Sequence, residues 1–346
     1  LTEYIVGIIL FIESQKFLLK KEELDMKAVV VSKAGSPEVL ELIQRDIPKI
    51  KPDWTLVKVM GFGINHSEIF TRQGLSPSVT FPRILEIELV GLVEESSDRQ
   101  RFPVGQKVVS IMGDLGWAFD GGYAEYALVP NRSLYTIETD LNWADLAAVP
   151  ETYYTAFGAM KNLKIEAKDR ILVRAGSSGV GQAFAKLVRS QFPDMNLVAS
   201  VRNLAKEEQL LTAGFSKAIL EKDGRLQTQE TFTKIFELVG PATIKDSLAH
   251  LEEDGIISST GQLGGKWYLE DFDPIEMLGN NVYLTTFASG NVNQVKLQDM
   301  FDYIKIYDVP VSPEKIYTID QIQTAHAYLE SKESFGKIVV LNHQEV

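Results

Sequence analysis

The 346-residue sequence carries 47 acidic and 35 basic residues for a net charge of −12, and 45% of it is hydrophobic. This is the composition of a globular chain long enough for two domains, and its acidic balance argues against nucleic acid as the main partner. Cysteine is absent, which excludes disulfides, a thiolate nucleophile and every Cys-containing zinc site, and fits a cytoplasmic location.

Residues 1–25 look unlike the rest. The apolar run from Tyr4 to Ile12 falls short of the ~20 residues that span a bilayer. It also lacks the basic start and small-residue cleavage site of a signal peptide. Lys16, Lys20, Lys21, Glu22 and Glu23 follow with amphipathic helical spacing. The stretch reads as an extension outside the fold or a misplaced start, with a membrane-surface helix as the other reading.

The fold is expected to begin at Met26, in the strand-like Met26–Val31. Val57–Val59, Leu89–Val93 and Lys107–Ile111 are further short β runs broken by Gly and Pro. From about Ala147 the rhythm changes. Ile171–Val173, Leu197–Val201, Lys234–Val239, Gly255–Thr260 and Val282–Phe287 read as strands, with helical spacing over Gln182–Ser190 and Lys206–Ala213. Alternating strands and helices predict βαβ units around a parallel sheet. The final stretch, Asn291 to Val346, contains helices and a last strand over Gly336–Leu341, and is expected to return to the first domain. The predicted layout is α/β. A β-rich domain spans 26–146 and 291–346, and a doubly wound domain spans 147–290.

The strongest local signal is Gly176-Ser177-Ser178-Gly179-Val180-Gly181, between the Ile171–Val173 strand and the following helix. Small residues there let backbone N–H groups and a helix N-terminus approach a pyrophosphate. The spacing is G-x-x-G-x-G rather than the commoner G-x-G-x-x-G. Valine at Gly179 or Gly181 is expected to block a dinucleotide while sparing the fold. After the next strand come Ser200, Arg202 and Lys206, with no acid before Glu207. Two cations there suit a ribose 2′-phosphate, and so NADPH rather than NADH.

Several further segments, in this order, give the chain a resemblance to the medium-chain dehydrogenase/reductase superfamily, specifically its zinc-independent quinone-oxidoreductase branch. They are Gly63–Glu68, Phe81–Gly91, Gly121–Tyr126, Ala147–Pro150, Thr155-Ala156 and Gly336–Val339. The resemblance covers about Met26 to Leu341. It implies a GroES-like catalytic domain with a Rossmann domain, a homodimer in which Val282–Phe287 is a candidate pairing edge, and cofactor contacts at Val239, Gly240, Gly261, Leu263, Phe287 and Lys337.

The departures from the zinc enzymes are equally informative. Asn65 stands where they carry Cys, and Ile87, within Glu86-Ile87-Glu88, stands where they carry His. A third ligand position falls near Glu151, the one residue of the set that binds metals well. A catalytic zinc takes three protein ligands, so no metal is expected. Glu88 then reads as a structural ion-pair residue, and His66 as a ribose contact or an incidental loop histidine. His250, His326 and His343 read as surface residues.

Phe70 occupies the place of a cleft tyrosine found in some quinone reductases and cannot donate a proton. Arg72 is either an anchor for a substrate oxygen or a surface charge, and Tyr153 is expected near the cleft with Phe70. Asn65 and Thr155 are expected to position the nicotinamide or the developing oxyanion, with solvent or a cofactor hydroxyl giving the proton. The expected activity is NADPH-dependent hydride transfer to a quinone or α,β-unsaturated carbonyl. The alternatives are an NADPH-binding protein with a regulatory or structural role, and an alcohol dehydrogenase.

Overall fold

A computed structural model describes residues 25–342. Of the expected extension only Asp25 falls within them, opening the first strand, and His343 lies outside.

The N-terminal part is built from β1 (Asp25–Val31), β2 (Leu40–Asp46), β3 (Trp54–Gly63), helix α1 (His66–Arg72), β4 (Arg83–Ile84), β5 (Glu88–Ser96), β6 (Lys107–Ile111), β7 (Tyr126–Pro130) and β8 (Leu134–Thr136). Helices α2 (Trp143–Ala147) and α3 (Pro150–Leu163) lead into the second part. There β9 (Arg170–Val173), α4 (Gly179–Gln191), β10 (Asn196–Val201), α5 (Glu207–Thr212), β11 (Lys217–Lys222), β12 (Arg225–Leu226) and β13 (Phe232–Glu237) follow in turn. Next come α6 (Ile244–Ala249), β14 (Leu251–Ser259), α7 (Pro274–Met277) and β15 (Tyr283–Thr285), and α8 (Gln294–Ile306), β16 (Lys315–Thr318), α9 (Ile322–Glu330) and β17 (Ile338–Leu341) close the chain.

The second part is a sheet in the order β12-β11-β10-β9-β13-β14-β15. All its pairings are parallel except that of β12. The order reverses between β9 and β13, and at such a switch point the loops after the strands part to form a crevice. The central strands β9, β10 and β13 are largely buried because they are largely apolar on both faces. Ile171, Leu172 and Val173 are fully enclosed, as a sheet covered by helices on both sides requires.

The first part is a sheet in the order β16-β17-β3-β5-β6-β8, with β7 also on β3, antiparallel except where β16 joins β17, and a small sheet β2-β1-β4 lies beside it. β17 pairs with β3, Val339 opposite Gly63, so the end of the chain is built into the first sheet. Helix α3 joins the parts. It buries Tyr153, Tyr154, Ala156, Met160 and Leu163 in a core shared with α4 and α8, each large side chain there contributing about 1.5–3 kcal/mol of transfer free energy. That burial fixes the angle between the two sheets and hence the cleft between them.

Candidate active site

The cleft is a cavity of about 640 Å³ between α1, the first turns of α3 and α4, the loops after β13 and β14, and the segment preceding β17. Its cofactor side starts at the glycine turn after β9. Ser178 caps α4, its Oγ accepting from Gly181 N at 3.1 Å, which helps keep that helix N-terminus tightly formed. The segment before β17 lies against this turn. Gly336 N donates to Ser177 O at 2.9 Å, and Lys206 Nζ donates to Ser334 O at 2.6 Å.

The floor is a polar cluster. Lys337 Nζ donates to Asn65 Oδ1 at 2.6 Å and to Glu88 Oε1 at 2.7 Å. Asn65 Nδ2 donates to the same Glu88 oxygen at 2.9 Å. Glu88 Oε2 accepts from Glu151 N at 2.7 Å, so this carboxylate caps the start of α3. An ammonium has only donors, which fixes the Asn65 amide with its carbonyl toward Lys337. Beside them Glu151 Oε1 accepts from Thr155 Oγ1 at 3.1 Å and Ser289 Oγ at 2.7 Å.

The electrostatics follow from burial. Glu68, whose Oε2 accepts from Asn65 N at 2.7 Å, is lifted to about 8 by desolvation. Glu86 is raised well above the usual range by the same cause, with Glu68 and Glu88 adding repulsion. Desolvation also lifts Glu151 to about 7. His66 is pushed down to about 4 by desolvation, then by Lys337 and Arg202, and is therefore neutral near pH 7.

Of the residues singled out from sequence, Asn65, Thr155, His66, Phe70, Ser178, Gly179, Val180, Gly261, Leu263 and Lys337 all line this cavity. Arg202 is exposed beyond the end of β10.

Others are placed differently. Arg72 is fully buried and paired with Glu330 at 2.7 Å, so it is neither a cleft anchor nor a surface charge. Tyr153 is buried in the core of α3; its side of the helix faces away from the cleft, toward a second cavity flanked by Gln182 and Lys186. Ser200 is buried, its Oγ donating to Glu221 Oε2 at 3.0 Å and accepting from Ala175 N at 3.2 Å. Gly240 and Val239 lie outside the lining; Gly240, at φ +85°, lets its loop pack on Gly261. Phe287 packs edge-on against Tyr154 and over Gly158. A Cβ on Gly181 would sit 2.8 Å from Ala175 O and 2.9 Å from Gly176 O, so valine there strains the turn itself, contrary to the expectation that the fold is spared. His326 is buried rather than exposed, bonded to Tyr123 Oη at 2.8 Å and pushed down to about 3 by desolvation.

The sequence reading missed Trp117, Trp267 and Tyr268 in the cleft wall, where Trp267 meets Phe70 edge-on at 5.5 Å. It also missed the hold of Ser289 on Glu151. No short-range pattern marks any of these.

Two family models match the chain: the alcohol dehydrogenase GroES-like domain over residues 51–139 and the zinc-binding dehydrogenase family over residues 213–340. The chain belongs to the medium-chain dehydrogenase/reductase superfamily and is quinone-oxidoreductase-like. It is 32% identical to the quinone oxidoreductase of Lama guanicoe over 170 residues, 48% of this chain and 50% of that protein. The match thus spans about half the length of that relative. A probable quinone oxidoreductase of Schizosaccharomyces pombe is 24% identical over 92% of this chain and 98% of its own. A mycobacterial protein solved in complex with NADPH shares the fold, with a TM-score of 0.76 and 22% identity over 91% of this chain and 99% of that one.

This superfamily includes zinc enzymes, but the residues here do not fit the metal. Ile87 is a buried hydrocarbon side chain, the Asn65 carbonyl is taken up by Lys337, and among the described residues no cluster of three or more His, Cys, Asp or Glu could hold an ion. A lysine ammonium sits in the cluster instead.

Proposed function

We propose that the protein is an NADPH-dependent reductase that transfers hydride to a quinone or α,β-unsaturated carbonyl compound without zinc. The observation that carries this reading is the Lys337–Asn65–Glu88 cluster on the cleft floor, a fixed hydrogen-bonding array rather than a metal-binding one. With its carbonyl on Lys337 and one amide hydrogen on Glu88, Asn65 has a second amide hydrogen for a ligand oxygen. Such a preorganised donor assists a conjugated acceptor, whose own π system spreads the incoming charge. It polarises an isolated ketone far less than a Lewis acid would.

NADPH, when bound, supplies the hydride. The glycine turn and the α4 N-terminus suit its pyrophosphate, and Arg202 and Lys206 suit its 2′-phosphate. The phosphate preference is supported by these two cations and by the NADPH complex of the mycobacterial relative. Thr155 on α3 lines the same floor as Asn65 and helps orient the ring. On this reading residues 26–146 and 291–346 form the catalytic domain and 147–290 the NADPH-binding domain. The protein is a cytoplasmic homodimer. The exposed Tyr283 and Leu284 of edge strand β15 suit strand pairing between copies, and among the described residues no helix is long and apolar enough to cross a membrane.

The test is loss of NADPH absorbance with a quinone, an enone and the matched saturated ketone, before and after dialysis against a strong chelator. Quinone and enone turnover that survives the chelator is expected, with little on the ketone. Faster ketone reduction, or activity restored only by zinc, would sink the reading.

A further inference from the structure

We propose that Glu151 is the acid that protonates the reduced substrate. This rests on the reductase reading above and extends it, because hydride transfer leaves a negative charge that needs a proton, and Phe70 has none to give. The hydroxyls of Thr155 and Ser289 both donate to Oε1. Oε2 is buried and has no partner among the described residues. One oxygen is thus pinned and the other left over, as in a neutral carboxylic acid whose O–H awaits an acceptor. Glu151 and both hydroxyl residues line the cleft with Asn65 and Lys337, so an acceptor bound on that floor is beside them.

The charged and titratable groups acting on Glu151 are Glu88 on β5 and Lys337 ahead of β17, with Tyr154 on its own helix also coupled to it. Desolvation dominates and lifts the carboxyl to about 7, against the lowering effect of the Ser289 bond. A general acid is most effective when its pKa lies near the working pH.

With NADPH supplying the hydride from its nicotinamide C–H bond, the enone β-carbon would gain a C–H bond, the C=C pair would shift to the bond between the α-carbon and the carbonyl carbon, and the carbonyl π pair would move to oxygen, leaving an enolate. The Glu151 O–H bond then breaks, its proton passing to the enolate. NADPH is oxidised, the enone is reduced, and the Glu151 carboxylate regains a proton from water.

Glu151→Gln keeps an acceptor for Thr155 and Ser289 but removes the acid. Infrared titration of the cofactor-free protein should show a carboxylic-acid C=O band that ionises near neutral pH, absent from Glu151→Gln. In turnover the variant should lose about 100-fold or more in kcat for the enone, with NADPH affinity within about twofold, and should lose the alkaline limb of the pH profile. Ser289→Ala, which removes a bond favouring the carboxylate, should move that limb to higher pH, and it supplies the pH test if Glu151→Gln fails to fold. A Glu151→Gln enzyme with near wild-type enone turnover and an unchanged limb would overturn the proposal, as would an infrared spectrum without the band. Failure of the underlying reductase reading looks different: the wild type itself would oxidise NADPH with neither quinone nor enone, while the infrared test still decides whether Glu151 is a neutral acid.

Discussion

Lys337 and Glu88 form an ion pair at 2.7 Å in which the lysine is 7% and the glutamate 0% exposed. Removing one member of so buried a pair leaves an uncompensated charge. Lys337→Met should therefore cost about 3–5 kcal/mol, read by denaturant unfolding. The double variant with Glu88→Gln should recover much of the loss, and a strictly additive cycle would show that the pair is not coupled.

On the proposed reading, Arg202 sets the choice of cofactor. Loss of a charge-assisted hydrogen bond to phosphate costs about 1.5–3 kcal/mol, so Arg202→Ala should weaken NADPH binding tenfold or more and leave NADH nearly unchanged. Calorimetric titration with both nucleotides measures this. Equal losses would assign Arg202 another role.

The glycine turn predicts a contrast. A Cβ on Gly179 meets nothing closer than Gly336 O at 3.4 Å, so Gly179→Val should fold normally and lose dinucleotide affinity. Gly181→Val, forced against the carbonyls of Ala175 and Gly176, should lower the melting temperature as well. Wild-type affinity in Gly179→Val would remove the turn from the binding site.

Glu68 should make stability fall as pH rises. Its carboxyl ionises at about 4.5 when unfolded and about 8 when folded, so between those values the native state holds a proton that the unfolded state has lost. Stability should decline across that window by up to about 1.4 kcal/mol per pH unit and level off above it. Glu68→Gln should flatten the decline, as read from unfolding midpoints between pH 5 and 9. An identical slope in both proteins would mean Glu68 does not carry it.

What the sequence reveals depends on how far apart the interacting residues lie. The strands at Ile171 and Leu197 and the glycine turn between β9 and α4 are local patterns, legible because each is apolar or small over a few consecutive residues. β11 escapes notice because its core, Ala218-Ile219-Leu220, is short and flanked by Lys217, Glu221 and Lys222. His326 was legible in principle, since it shares a helical face with Ile322, Ala325 and Leu329. Arg72 was not: Glu330, which buries it as an ion pair, lies 258 residues away. The same holds for Glu151, recognisable in sequence as the place of a missing ligand but not as a partner of Ser289, 138 residues on.

The joining of β17 to β3 also sets an order on biosynthesis. Lys337 leaves the ribosome 249 residues after Glu88, a wait of roughly 10–50 s at ordinary elongation rates. Throughout that interval Glu68, Glu86 and Glu88 have no ammonium to face, and the Gly61–Gly63 end of β3, beyond its pairing with β7, lacks the partner that β17 supplies. The part of the molecule made first is thus completed last, after the whole parallel sheet between has emerged.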